Sequence, residues 1–164
     1  MSQDTVTLEG SLADRSRWSA ERCTIDAALS VVSTRSAMLI LREAFYGTRR
    51  FDDFVERVGV TEAVAAARLR ELTEAGVLRR EPYREPGRRT RHEYRLTEMG
   101  RDLFPALLAL AQWGDKYLTG EAGPPLQWRH EDCGAAVTTT VTCAAGHEVP
   151  VGALSVRATR RRPR

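Results

Sequence analysis

Lysine is almost missing from this 164-residue chain: of 25 basic residues only Lys116 is a lysine, and the rest are arginines. A P-loop needs a Gly-Lys-Ser/Thr ending, and the sole lysine sits in Gly114-Asp115-Lys116-Tyr117, so that phosphate cradle is excluded. No two glycines are spaced Gly-x-Gly, which removes the dinucleotide fingerprint. None of the three histidines, His92, His130 and His147, opens a His-Glu-x-x-His pair, and no serine sits in a Gly-x-Ser-x-Gly elbow. Nothing tested points to an enzyme. Cysteine is scarce and odd in number (Cys23, Cys133, Cys143), which excludes a disulfide scaffold. The longest apolar-rich stretch, Leu103 to Ala111, is far short of the ~20 residues that span a bilayer. Met1 to Gly10 holds two acids and no basic residue, unlike a secretory signal. The expectation is a soluble cytoplasmic protein that needs no cofactor and meets no membrane.

What is present is a core-forming composition and an uneven charge. Apolar residues make up 42% and charged residues 29%, which suits one globular domain with a small appendage. A chain of this length buries roughly 68–70% of its unfolded surface and needs no covalent staples. The formal net charge is +3, on an otherwise slightly acidic body. Residues 77–95 hold seven arginines against three glutamates, and residues 157–164 hold five arginines and no acid. An arginine-rich genome explains arginine over lysine. It does not explain clustering, which is the electrostatic footprint of a polyanion site.

Periodicity along the chain gives an order of elements. Residues 1–22 read as a polar arm with a short helix around Ser11 to Glu21, carrying Leu12 and Trp18. Helices follow over Cys23 to Val32 and Ser33 to Tyr46, the second with Ala37, Met38, Ile40, Leu41, Ala44 and Phe45 on an apolar face. A third runs from Arg50 to Val58 with Phe51, Phe54, Val55 and Val58 at i, i+3, i+4, i+7. After a Gly59-Val60 turn, Thr61 is the N-cap of a helix to Ala75. Its inward stripe is Ala65, Leu69 and Leu72, while Glu62, Ala63, Ala66, Ala67 and Arg70 face outward with Arg68 on the flank. Such a face suits close approach to a partner, or is a plain solvated surface. Residues 77–84 and 92–96 then read as strands around a Pro-Gly turn that carries Arg88, Arg89 and Arg91. Thr97 caps a long helix to Leu118, bent at Pro105 and apolar on two faces, which asks for a second burial partner. Beyond a Gly/Pro linker at 121–125, the alternation Val137, Thr139, Val141, Cys143 suits a strand in a small hairpin, and Arg157 to Arg164 reads as a disordered basic tail.

Helix, turn, helix and basic hairpin is the order of a winged helix-turn-helix: a mainly α (α+β) fold with a two-stranded β wing. The expected organisation is an arm (1–22), a winged domain with a long C-terminal dimerisation helix (23–120), and a small β-rich extension (121–164). A DNA major groove about 12 Å wide accepts one α-helix. The candidate reading helix spans about 61–75, with Thr61, Glu62, Ala63, Ala66, Arg68 and Arg70 as its DNA-facing residues. Wing residues 85–92 can reach the neighbouring minor groove, where narrow walls favour inserted arginine (Arg88, Arg89 and Arg91 here). Arg49 and Arg50, at the start of the bracing helix, can meet phosphate. Wings also mediate protein contacts, so an interaction module without DNA binding is the alternative.

Several runs together resemble the HxlR-type winged-helix regulators, relatives of the MarR group. They are Cys23, Ile25, Leu29, Leu39-Ile40-Leu41-Arg42, Gly47-Thr48-Arg49-Arg50-Phe51, Arg68-Leu69-Arg70-Glu71-Leu72, Ala75-Gly76-Val77-Leu78 and Tyr94-Arg95-Leu96-Thr97-Glu98-Met99-Gly100. The resemblance covers about residues 20–118. It implies a homodimer joined by its N-terminal and long C-terminal helices. That dimer is expected to bind an inverted-repeat operator as a repressor or autoregulator under an unidentified small-molecule or redox effector. Two departures stand out: Cys23-Thr24 replaces the family's Cys-Pro, and Thr34-Arg35-Ser36 replaces its Gly-Lys/Arg-Trp.

Two further sites are candidates. Cys23 lies at a helix N-terminus beside Arg22, where thiolate is favoured, with Asp26 one turn on opposing it. In several members of the resembling family a cysteine matching this one senses oxidants or electrophiles; a small buried cysteine is the other reading. The set His130-x2-Cys133-x9-Cys143-x3-His147 supplies two histidines and two cysteines in ligand-like pairs, a tetrahedral zinc set. The same residues also suit a metal-free β-patch. Trp18, Phe104, Trp113 and Tyr117 are candidates for an effector pocket at a dimer interface, or for core.

Overall fold

A computed structural model describes residues 4–17, 23–84, 87 and 90–159. In chain order its elements are β1 (Thr7–Leu8), α1 (Thr24–Val32), α2 (Arg35–Phe45), α3 (Phe51–Val58), α4 (Glu62–Glu74), β2 (Leu78–Tyr83), β3 (Arg91–Leu96), α5 (Glu98–Arg101), α6 (Phe104–Leu118) and β4 (Ser155–Val156). The chain forms two compact units. One is Thr24–Thr138; the other joins Met1–Cys23 to Thr139–Arg164.

The larger unit is a winged helix-turn-helix, and its helix starts follow from local chemistry. The Thr34 hydroxyl accepts the Ala37 amide (3.1 Å) at the start of α2. Thr61 does the same for Val64 (3.3 Å) at α4, and Thr97 for Gly100 (3.1 Å) at α5. Each satisfies an amide that has no partner within its helix. Between α3 and α4 the chain reverses at Gly59, whose φ of +67° is costly for any residue with a Cβ. Ile40 and Leu41 of α2, Phe54 and Val58 of α3, Leu69 and Leu72 of α4, then Val77, Leu78 and Leu107 close one core. The hairpin β2–β3 is antiparallel, in register from Leu78↔Leu96 at its base to Tyr83↔Arg91 near its tip.

The helix expected from Thr97 to Leu118 is two helices. The first stops at Arg101, and Pro105 lies in the first turn of α6, so it begins that helix instead of bending it. In a first turn the missing amide would have had no acceptor, and no preceding turn exists for the ring to strike. Gly100, buried between, leaves no space for a Cβ: one would collide with the Val77 carbonyl.

Two other expectations change. The alternation from Val137 to Cys143 makes no ladder; isolated bridges Arg129↔Ala136 and Thr142↔Glu148 close two separate turns instead. The extension's strand is β4, paired in parallel with β1 from the opposite end of the chain (Thr7↔Ser155, Leu8↔Val156). The boundary drawn at 121 therefore moves. Residues up to 138 belong with the winged helix because Trp128 packs its ring on Tyr46 and Phe104 and the Gln112 side chain donates to the Val137 carbonyl (2.7 Å). In the arm, 3₁₀ turns at Gly10–Leu12 and Arg15–Arg17 occupy part of the expected helix; Trp18 to Arg22 lie outside the described residues, as do 160–164 of the basic tail. Among the described residues no single helix is long and apolar enough to cross a membrane.

Candidate nucleic-acid interface

Helix α4 divides into two faces. Ala65, Leu69 and Leu72 are buried in the core. Thr61, Glu62, Ala63, Ala66 and Arg70 are exposed together, as their i, i+3, i+4 spacing requires. The alanines leave the backbone of this face open to close approach. Arg68 differs from its sequence assignment: it is half-buried and ion-paired with Glu71 on the same helix. Arg70 reaches Glu74 at 3.9 Å, both well exposed, a contact of little energetic weight. With Glu62, Glu71 and Glu74 against two arginines, α4 carries no surplus of positive charge. Attraction to a polyanion must come from elsewhere.

Exposed positive charge lies instead on the hairpin and the segment before α3. That segment is fastened at both ends. Buried Glu43 accepts from Arg42 (2.7 Å) and from the Thr48 hydroxyl (3.2 Å), and Arg57 donates to the same hydroxyl (2.8 Å). The Tyr94 amide donates to the Arg49 carbonyl (2.8 Å), and the backbone of Arg50 pairs with that of Glu93 in an isolated antiparallel bridge. The exposed Arg49 and Arg50 are thereby held beside the wing. Within the wing, both acids of the β-strands are engaged: Glu81 with Arg79 (2.9 Å) and Arg95 (2.8 Å), Glu93 with Arg95 (2.5 Å). Arg80, midway along the hairpin, and Arg91, near its tip, are exposed. Glu85, Arg88 and Arg89 at the tip lie outside the described residues.

Three residues absent from the sequence assignment join this surface. An open cleft of about 420 Å³ lies where the start of α3 meets the hairpin, lined by Arg50, Arg80, Tyr83, Arg91 and His92 among others. Arg80, Tyr83 and His92 were not legible as site residues, because only the strand register shows which of them meet.

A family model of HxlR-like helix-turn-helix proteins matches residues 31–122, more than half of the chain. The chain belongs to that family. The HxlR-like chain is 44% identical over 126 residues to an HTH-type transcriptional regulator of Mycobacterium tuberculosis, covering 76% of this chain and 78% of the relative. It is 33% identical over 98 residues to the HTH-type transcriptional regulator YdeP of Bacillus subtilis, covering 59% and 75%. Among solved structures it resembles a protein described as a transcription factor, PA1607, with a TM-score of 0.76, 33% identity, and 87% and 97% coverage. The oxidised form of the redox regulator HypR superposes with a TM-score of 0.53 at 29% identity, over 57% of this chain and 96% of that one. This HxlR-like protein is thus a helix-turn-helix transcriptional regulator, and its relatives are regulators, not enzymes.

The remaining sequence candidates of this HxlR-like chain are scattered. Cys23 is a free, half-buried thiol directly before α1. Among the described residues no three His, Cys, Asp or Glu side chains gather where they hold a metal. His130 Nδ1 lies 3.2 Å from Cys133 Sγ in one bridged turn, while Cys143 and His147 occupy another turn in the other unit. Of the proposed effector aromatics, Phe104 packs on Phe45 and Trp128, while Trp113 and Tyr117 contact each other on the exposed side of α6.

Backbone hydrogen bonds from the turn, His147 first and then Ala145, hold the exposed Cys143 thiol below its ordinary range. A lowered value favours thiolate, so in a chain with Cys23 and Cys133 replaced by serine, iodoacetamide labelling is expected to persist to lower pH than in the same chain in urea. Equal midpoints for folded and unfolded protein would rule this out.

Proposed function

We propose that the protein is a homodimeric, sequence-specific DNA-binding repressor acting in the cytoplasm on an inverted-repeat operator. In this reading α4 lies in the major groove through Thr61, Glu62, Ala63, Ala66 and Arg70, and the wing enters the minor groove through Arg88, Arg89 and Arg91. The observation that carries it is the pairing of an exposed, small-residue helix face with a separate arginine-rich hairpin in one unit. The helix fits a groove and the hairpin supplies the charge. Arg49 and Arg50 add phosphate contacts beside the wing.

Exposed apolar side chains support the dimer. On α6, Leu110 (54%), Trp113 (54%) and Tyr117 (59%) recur at i, i+3, i+7, and α1 buries none of its residues while exposing Ile25 and Leu29. Apolar helix faces of this size are covered by a partner in a stable protein, and here a second copy is the partner. The likeness to HypR supports Cys23 as the residue through which an oxidant or electrophile acts.

The test is a gel-shift titration of the chain's own upstream DNA at several salt concentrations. Phosphate neutralisation makes the logarithm of affinity fall linearly with the logarithm of salt, by about 0.9 per phosphate neutralised. A steep slope with clear preference over scrambled duplex is the expected result, with two chains per operator. A protein that shifts no duplex, or shifts all duplexes equally, is not a sequence-specific regulator, and a protein partner for the wing would be sought.

A further inference from the structure

The cleft between the start of α3 and the outer end of the hairpin is more ordered than a chance gathering of arginines. Among the described residues its arginines are Arg50, Arg80 and Arg91, its lining acid is Asp52 in the first turn of α3, and its rings are Phe51, Tyr83, His92 and Tyr94. The two acids of the strands, Glu81 and Glu93, are taken up by Arg79 and Arg95. Two of the cleft's guanidinium groups have a ring that orients them. Arg50 Cζ stands 5.0 Å from the centroid of Tyr83, in the range of a cation–π contact. Arg80 Nη2 is 3.1 Å from His92 Nδ1. A guanidinium only donates, so Nδ1 is the acceptor, and the ring's proton is carried on Nε2. The strand register makes the contact possible: Arg80 stands opposite Tyr94, and His92, two residues along, is its diagonal neighbour on the same face.

We propose that this cleft seats one backbone phosphodiester of the DNA duplex, gripped by Arg50 from α3 and Arg80 from the wing, with Tyr83 and His92 as the positioning residues that hold each guanidinium. The inference rests on the DNA-binding reading above and adds to it a site that spans two elements. A guanidinium already held in place loses less freedom on meeting its anion than a free one, so the rings contribute affinity without touching DNA. A phosphate contact carries no sequence information; its role is to lock the wing and α3 in one register on the duplex.

Fluorescence anisotropy with the full chain, its upstream duplex and a scrambled duplex tests this across a salt series. Arg80→Ala is expected to weaken both duplexes about equally, by roughly tenfold, and to reduce the salt slope by about one. His92→Leu is expected to give a smaller loss of about threefold, with His92→Gln, whose amide oxygen still accepts, restoring most of it. Tyr83→Phe keeps the ring and should bind like wild type, whereas Tyr83→Leu should not. Unchanged melting temperatures confirm that these substitutions leave the fold intact. Wild-type affinity and slope in Arg80→Ala, or equal damage from His92→Gln and His92→Leu, would overturn the phosphate seat while leaving the regulator reading standing. A loss confined to the upstream duplex would make Arg80 a base reader and equally overturn it. A wild-type chain that binds neither duplex would defeat both readings at once.

Discussion

Truncating Phe54 to alanine is expected to cost about 3–5 kcal/mol of folding stability. Phe54 has no exposed surface and packs in the core that joins α2, α3, α4 and the base of the hairpin. Its ring meets Tyr94 edge-on at 6.2 Å, so the same side chain that fills the core also fastens α3 to β3. Removing it leaves a cavity that the surrounding helices cannot close without moving α3 away from the wing. Domains of this size are stable by about 5–15 kcal/mol in total, so the loss takes a large share. Urea unfolding followed by tryptophan fluorescence measures it. A shift worth less than about 1 kcal/mol, below the cost of one buried methylene and its void, would show that the core is not packed as described.

Replacing Arg88, Arg89 and Arg91 together with alanine is expected to lower operator affinity at least about a hundredfold, since each groove-reading arginine is worth about 1–3 kcal/mol. The charge distribution makes the effect large. The α4 helix carries three glutamates against two arginines, and the two strand acids of the wing are already neutralised by Arg79 and Arg95. If the three arginines read the minor groove, affinity for the operator should fall more than affinity for scrambled DNA; if they meet phosphate alone, the two should fall in parallel. Retention of full affinity by the triple variant would remove the wing from the interface.

The elements that place α4 were legible from the sequence for a local reason. Thr61 and Thr97 cap the amides three residues ahead of them, and an apolar stripe at 3.6-residue spacing declares its buried face without reference to the rest of the chain. Leu69 and Leu72, expected to point inward, are fully buried; Ala63 and Ala66, expected to point outward, are exposed. The same reasoning failed where a pattern needed a partner to mean anything. The alternation of Val137 to Cys143 found no neighbouring strand, whereas Thr7 and Leu8, with no alternation to mark them, found one at the far end of the chain, Ser155 and Val156. Pro105 was misplaced by three residues of context: the break at Asp102 and Leu103 turns a helix interior into a helix start.

The order of elements, the caps, the inward stripe of α4 and the basic segment at 77–95 were all determined by the amino-acid sequence alone, because each depends on residues within one or two turns of each other. Which arginines are spent on acids and which share a cleft with Tyr83 and His92 was decided only by the tertiary structure. Charge is counted along a chain, but it acts across space. The pairing of Arg80 with His92, and the docking of Arg50 against β3, depend on a strand register and a helix placement that no local pattern encodes.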